Sequence, residues 1–138
     1  MVKQVSAGVI LNDLENTLQL YLDSLDSISN CSFSIFNDEE RQLLVSGNMD
    51  GTEFKMFNLY ILENELQIHN LVAYRELRGK GIVMQMIDLT YKLSQKYDYH
   101  LFIVDMVPGF YGAMIRRGAE PIDQDSVKIN KDTNLSKN

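Results

Sequence analysis

Residues 66–104 constrain the fold more tightly than any other stretch. The predicted strand Leu66–Ala73, apolar over Leu71–Ala73, gives way to a charged turn, Tyr74 to Lys80, and Gly79 and Gly81 flank Lys80. From Ile82 the apolar residues Ile82, Met86, Leu89 and Leu93 recur at helical spacing to about Lys96, with Val83 and Ile87 beside them. Leu101–Val104 is then a short continuous apolar run, the pattern of a strand buried on both faces. Strand, helix and strand of these lengths predict a parallel pair with a right-handed crossover. The two glycines fall at the start of the crossover helix.

That position is suited to an anion. The first amides of a helix lack partners within it, and the helix dipole adds partial positive charge. Glycine lets a bulky anion approach the backbone. Arg78 and Lys80 bring full charges, with Arg75 nearby. A phosphate or pyrophosphate is the expected ligand. Two glycine motifs are excluded: Gly81 follows Lys80 where a P-loop needs Ser or Thr, and a dinucleotide fingerprint needs a third glycine.

The run Arg78-Gly79-Lys80-Gly81-Ile82-Val83 resembles the Arg/Gln-x-x-Gly-x-Gly/Ala signature of the GCN5-related N-acetyltransferases, with Val83 departing from its last position. The resemblance is specific over about 66–118. It implies an α/β (α+β) fold: a mixed, largely antiparallel central sheet with flanking helices and a splayed parallel strand pair. It implies acetyl-CoA as co-substrate and a primary amine as acceptor. Val72, Ala73 and Tyr74 would pair with the pantetheine arm, and Arg78, Gly79, Lys80, Gly81, Ile82 and Val83 would hold the pyrophosphate. The family's Asn after the fifth strand and Tyr in the next helix are replaced by Val107 and Met114. Tyr111, one turn before Met114, is the candidate substitute as proton donor to the leaving thiolate, or else a packing tyrosine. His69, on the strand approaching the site, is a candidate base or a hydrogen-bonded sheet residue. Asp105, after the fifth strand, is a candidate for binding the amine or a solvated acid.

Composition sets the outer bounds. The chain has 138 residues, 45% apolar and 23% charged, which suits one domain over 1–129 with a polar, disordered tail over 130–138. The formal charge of −6 argues against a general nucleic-acid partner. Cys31 is the only cysteine, so an internal disulfide and a cysteine metal cluster are excluded and no metal is expected. No run approaches the roughly 20 apolar residues of a membrane span, and no secretory signal is apparent. A cytoplasmic protein is expected, and a homodimer is compatible with it.

Elsewhere, Val5–Leu11 reads as a first strand, and Asn12 with Glu15 as a capping box opening a helix through Leu14, Leu18, Leu22 and Leu25. Strands are predicted at Cys31–Phe36, Gln42–Ser46 and Thr52–Leu62, with Asp50-Gly51 as a hairpin turn. Pro108 opens another helix and Gly118 ends it. Short closing strands follow at Ala119–Ile122 and Val127–Ile129. Besides N-acetyl transfer, three alternatives stand: a longer-acyl transferase, since Arg116-Arg117-Gly118 resembles the same helix in acyl-homoserine-lactone synthases; a member that binds CoA without turnover; and an interaction module on the same fold.

Overall fold

The computed structural model describes residues 5–25, 31–69, 71 and 81–136. Helix α1 (Ala7–Asp23) comes first, then strands β1 (Cys31–Asn37), β2 (Gln42–Met49), β3 (Thr52–Leu62) and β4 (Glu65–His69). Helix α2 (Ile82–Lys96), β5 (His100–Val104), α3 (Pro108–Arg116), β6 (Glu120–Asp123) and β7 (Ser126–Ile129) follow. The strands form one seven-stranded sheet in the order β1-β2-β3-β4-β5-β7-β6. Only β4 and β5 pair in parallel, from Glu65↔His100 to His69↔Val104. This is the mixed, largely antiparallel α/β architecture with one parallel pair that the N-acetyltransferase resemblance implies.

The predicted first strand is absent. Val5 lies just outside α1, and Ala7–Leu11 is its first part. Ser6 is the N-cap, its Oγ accepting from the Val9 amide at 3.4 Å. Ile10 and Leu11 belong to the same stripe as Leu14, Leu18 and Leu22, and all five are buried. Burying such a side chain contributes roughly 1.5–3 kcal/mol, which outweighs the local preference of Val9 and Ile10 for a strand. Gly8 sits in the first turn because a Cβ there would come within 2.9 Å of the Glu39 carbonyl. Asn12 and Glu15 do not form a capping box. Their side-chain oxygens both accept from Asn37 Nδ2, at 2.8 and 2.9 Å, tying α1 to the end of β1.

The hairpins follow from local chemistry. Asp50 and Gly51 have φ of 53° and 84°, as a two-residue primed turn requires. Between β1 and β2, Asp38 Oδ1 accepts from the amides of Glu40, Arg41 and Gln42. These bonds, Gln42's foremost, hold the Asp38 carboxyl below the usual carboxylate range.

Alternation then divides the sheet into two faces. Leu43, Val45, Leu59, Leu66, Ile68, Leu101, Ile103 and Val127 are buried in one cluster with the apolar stripes of α1 and α2. Gln42, Asn58, Tyr60, Gln67 and His69 occupy the other face, half-buried. A polar knot fastens α1 to the end of α2. Asp13 Oδ2 accepts from Tyr97 OH at 2.6 Å and pairs with Lys96 Nζ at 2.9 Å.

At the C-terminal end, α3 closes as a Schellman motif: Ala119 N donates to Met114 O and Gly118 N to Ile115 O, each at 3.0 Å, with Gly118 at φ 96°. Residues 130–136, read above as disordered, are docked. Arg117 Nη1 donates to the carbonyls of Asn134 and Ser136. Asn134 N returns a bond to Arg117 O at 2.7 Å, and Thr133 is buried. Gly118 permits the approach, since a Cβ there would meet the Asp132 carbonyl at 2.9 Å.

Candidate functional site

The C-terminal end of the parallel pair gathers the groups able to bind or react. Ligands of open α/β sheets lie outside the carboxyl ends of strands. Here β4 ends at His69, β5 runs out into Asp105, and in chain order α2 follows β4 and α3 follows β5.

Gly81 is the N-cap of α2, with φ 72° and ψ 14°, a left-handed conformation that suits glycine. Among the described residues no side chain caps the helix, and its first turn carries no acid. The amides of Ile82, Val83 and Met84 therefore meet no competing carboxylate or hydroxyl from the described residues of their own helix end. Gln85 N is the first to find an intrahelical acceptor, Gly81 O at 3.0 Å. Ile82 is buried and Val83 half-buried against the core, so both are anchored by packing while their amides face the helix end. A diphosphate fits this chemistry. Val72, Ala73, Tyr74, Arg78, Gly79 and Lys80 lie outside the described residues.

His69 and Asp105, far apart in sequence, are brought together. Nδ1 of His69 lies 3.3 Å from Asp105 Oδ2, and the two side chains are 25% and 62% exposed. Asp105 is aimed by its own backbone, a left-handed residue at φ 56° that turns the chain as β5 ends. The other nitrogen, Nε2, lies 3.2 Å from Gln67 Oε1. Gln67 Nε2 in turn donates to Glu65 Oε1 at 3.2 Å, which fixes the amide's orientation and makes His69 Nε2 the donor toward it. The Tyr60 ring meets the imidazole edge-on, 5.1 Å between centroids. Each ring nitrogen thus has an acceptor beside it. For His69 to take a proton from a substrate, one of these contacts has to open.

Further acids stand near Asp105. Asp125 has its carboxyl pushed above the usual range by a hydrogen bond shared with Asp123, then by desolvation and the Asp123 charge, with Asp105 adding a smaller repulsion. This end of the sheet therefore favours a cation.

Tyr111 sits in the first turn of α3, half-buried against the core cluster, its amide bonded to Val107 O at 3.0 Å. No hydrogen bond joins it to His69 or Asp105 among the described residues. Val107 is the exposed N-cap of α3, and Met114 is fully buried core. The Met114 position is a packing position here and presents nothing to a ligand. Burial pushes the Cys31 thiol up, which disfavours the thiolate needed of a nucleophile. The described residues contain no group of three or more His, Cys, Asp or Glu able to hold a metal ion, and none of their helices is long and apolar enough to cross a membrane.

The sequence reading missed the partners of His69. Gln67 lies two residues before it on β4, and Tyr60 is brought beside it through the strand pairings Asn58↔His69 and Tyr60↔Gln67. Alternation within β4 could have placed Gln67 on the His69 face; the cross-strand register could not be read.

No family model matches the chain, and no curated protein does. Among solved structures, the chain is similar to one described as "putative acetyltransferase from Agrobacterium tumefaciens", at 16% identity over 93% of each chain, with a TM-score of 0.37. A superposition that loose transfers no residue's role.

Proposed function

We propose that this protein transfers an acetyl group from acetyl-CoA to a primary amine. What supports the reading is that α2, opened by the left-handed Gly81, follows β4 in the crossover to the parallel strand β5, and that the ends of β4 and β5 bring His69 against Asp105. The Arg78–Val83 resemblance supplies the identity of the anion.

Acetyl-CoA supplies an activated thioester. The amine nitrogen bonds to the acetyl carbon, the carbon–sulfur bond breaks, and the products are an amide, CoA thiol and one proton. The amides of Ile82, Val83 and Met84, with Arg78 and Lys80, hold the diphosphate. The Asp105 carboxylate draws the ammonium to the strand ends. Once the Gln67 contact opens, the neutral His69 ring carries its proton on Nδ1, donating to Asp105; Nε2 then receives the substrate's proton, and Asp105 stabilises the resulting imidazolium. Tyr111 is assigned the return of a proton to the thiolate.

Met114's burial and the two occupied nitrogens of His69 favour a second reading, in which CoA is bound without turnover. Thiol release from acetyl-CoA over a panel of primary amines separates the two. Amine-dependent release that falls about 10-fold or more in His69→Gln supports the transferase, general acid–base groups being worth about 10²–10⁴-fold. CoA binding with no release supports the second reading. Absence of both refutes the proposal.

A further inference from the structure

A cleft of about 560 Å³ opens on the polar face of the sheet, lined by Asp38, Arg41, Gln42, Tyr60, Gln67 and His69 among others. Its floor is already satisfied. Gln42 Nε2 donates to Asn58 Oδ1 at 3.0 Å and to Tyr60 OH at 3.2 Å, while Gln67 bridges Glu65 and His69. These groups shape the cleft without asking for a ligand.

Its two ends differ. At one end stands Arg41, exposed, whose guanidinium has no ion pair or hydrogen bond with any described residue. The nearby Asp38, whose Oδ1 accepts from three backbone amides of the turn, makes no direct ion pair with it and interacts with it through charge alone. At the other end His69 leads to Asp105, whose carboxylate is 62% exposed, with Asp123 and Asp125 beyond. One end offers a guanidinium beside the Asp38 carboxylate, and the other is anionic. Backbone to backbone, Arg41 lies two strand spacings and three residues from His69, about 14 Å, and three spacings and four residues from Asp105, about 20 Å, before side-chain reach is counted.

We propose that this cleft binds the acceptor, and that the acceptor is an amine carrying a carboxylate at the far end of a short flexible chain. Arg41 takes the carboxylate, the Tyr60 ring lies along the chain, and the ammonium reaches His69 and Asp105. A guanidinium fork suits a carboxylate because two parallel N–H···O bonds can form. A simple α-amino acid has its charges too close together to reach both ends. The amine's chemical fate rests on the transferase reading; the binding does not.

The test compares 6-aminohexanoate, hexylamine and hexanoate as probes, with the full chain and its Arg41→Gln variant. Arg41 is solvent-exposed, so its replacement leaves the core intact. In thiol release, kcat/KM for 6-aminohexanoate is expected to exceed that for hexylamine by about 10-fold or more, the scale of a charge-assisted contact. Arg41→Gln should bring that ratio close to one through KM. In a parallel amide NMR titration without acetyl-CoA, 6-aminohexanoate should shift Arg41, Gln42, Tyr60 and His69, and the variant should lose the shifts. Binding with these shifts but no thiol release upholds the cleft and refutes the transferase reading. Thiol release with equal efficiency for 6-aminohexanoate and hexylamine, or a preference untouched by Arg41→Gln, overturns the cleft and leaves the transferase standing. No binding and no release overturns both.

Discussion

Replacing Gly81 tests the anion site through charge alone if Asp and Asn are compared at that position. Both side chains are nearly isosteric, and both tolerate the left-handed backbone that Gly81 adopts at φ 72° better than other residues do. Each can also cap the open amides of Ile82–Met84, so the fold cost is shared. What differs is one negative charge placed about 4 Å from the proposed diphosphate. Two like charges at that distance repel by about 1 kcal/mol in water and about 4 kcal/mol at an effective dielectric near 20. The helix end opens toward solvent, so a value between these, about 1.4–2.8 kcal/mol, is expected, or 10- to 100-fold in affinity. Isothermal titration with CoA near 0.15 M salt, where the Debye length is about 8 Å, leaves a 4 Å interaction largely intact. Gly81→Asp should bind CoA 10- to 100-fold more weakly than Gly81→Asn. Equal affinities for the two variants would refute the placement of the diphosphate at this helix end.

Gly118→Ala should destabilise the protein by about 1–3 kcal/mol, a drop of several degrees in Tm by thermal denaturation, because φ is 96° and the new Cβ meets the Asp132 carbonyl at 2.9 Å. An unchanged Tm would mean that residues 130–136 do not dock there. Met114→Tyr should lower stability by about 1–3 kcal/mol through overpacking of a fully buried site and leave thiol release no higher than before; a gain in release would contradict the assignment of Met114 to the core. Asp13 is held below the usual carboxylate range by the Tyr97 hydroxyl, then by Lys96. A depressed folded value contributes stability above the unfolded carboxylate range, and that contribution is lost as pH falls through the folded value. Asp13→Asn should therefore lower Tm at pH 7, with the deficit shrinking as the wild type is acidified through and below that range. A pH-independent deficit would show that the Asp13 charge is not what ties α1 to α2.

The parts of the fold that could be read from the chain were those written in local chemistry. Asp50-Gly51 demanded a primed turn, Thr52–Leu62 read as one long strand, and Pro108 and Gly118 marked the two ends of α3. The parallel pair followed from element lengths alone. The errors arose where a distant partner decides the outcome. Val5–Leu11 is apolar enough for a strand, but the spacing of Ile10 and Leu11 to Leu14, Leu18 and Leu22 already carried the helical stripe that packing rewards. Asn12 and Glu15 have capping-box spacing, yet Asn37 of β1 is what they grip. The polar composition of 130–136 concealed its anchor, since Arg117 and the bare Cα of Gly118 precede it in sequence. In the candidate site, Gly81 could be assigned because a helix start is a local property. His69 and Asp105 could be singled out from their strand ends, but their pairing through β4 and β5 could not. Alternation along β4 carried a signal for Gln67, whereas Arg41 gave none, because its significance lies in the cleft that distant strands form around it.

We propose that main-chain amides at the start of α2 hold the diphosphate of CoA beside the ends of β4 and β5. An amide-resolved NMR titration of the full chain with CoA tests it most directly. The account predicts saturable binding with the largest shifts at Gly81, Ile82, Val83 and Met84. Saturable shifts confined to other surfaces, or no binding at millimolar CoA, would contradict it.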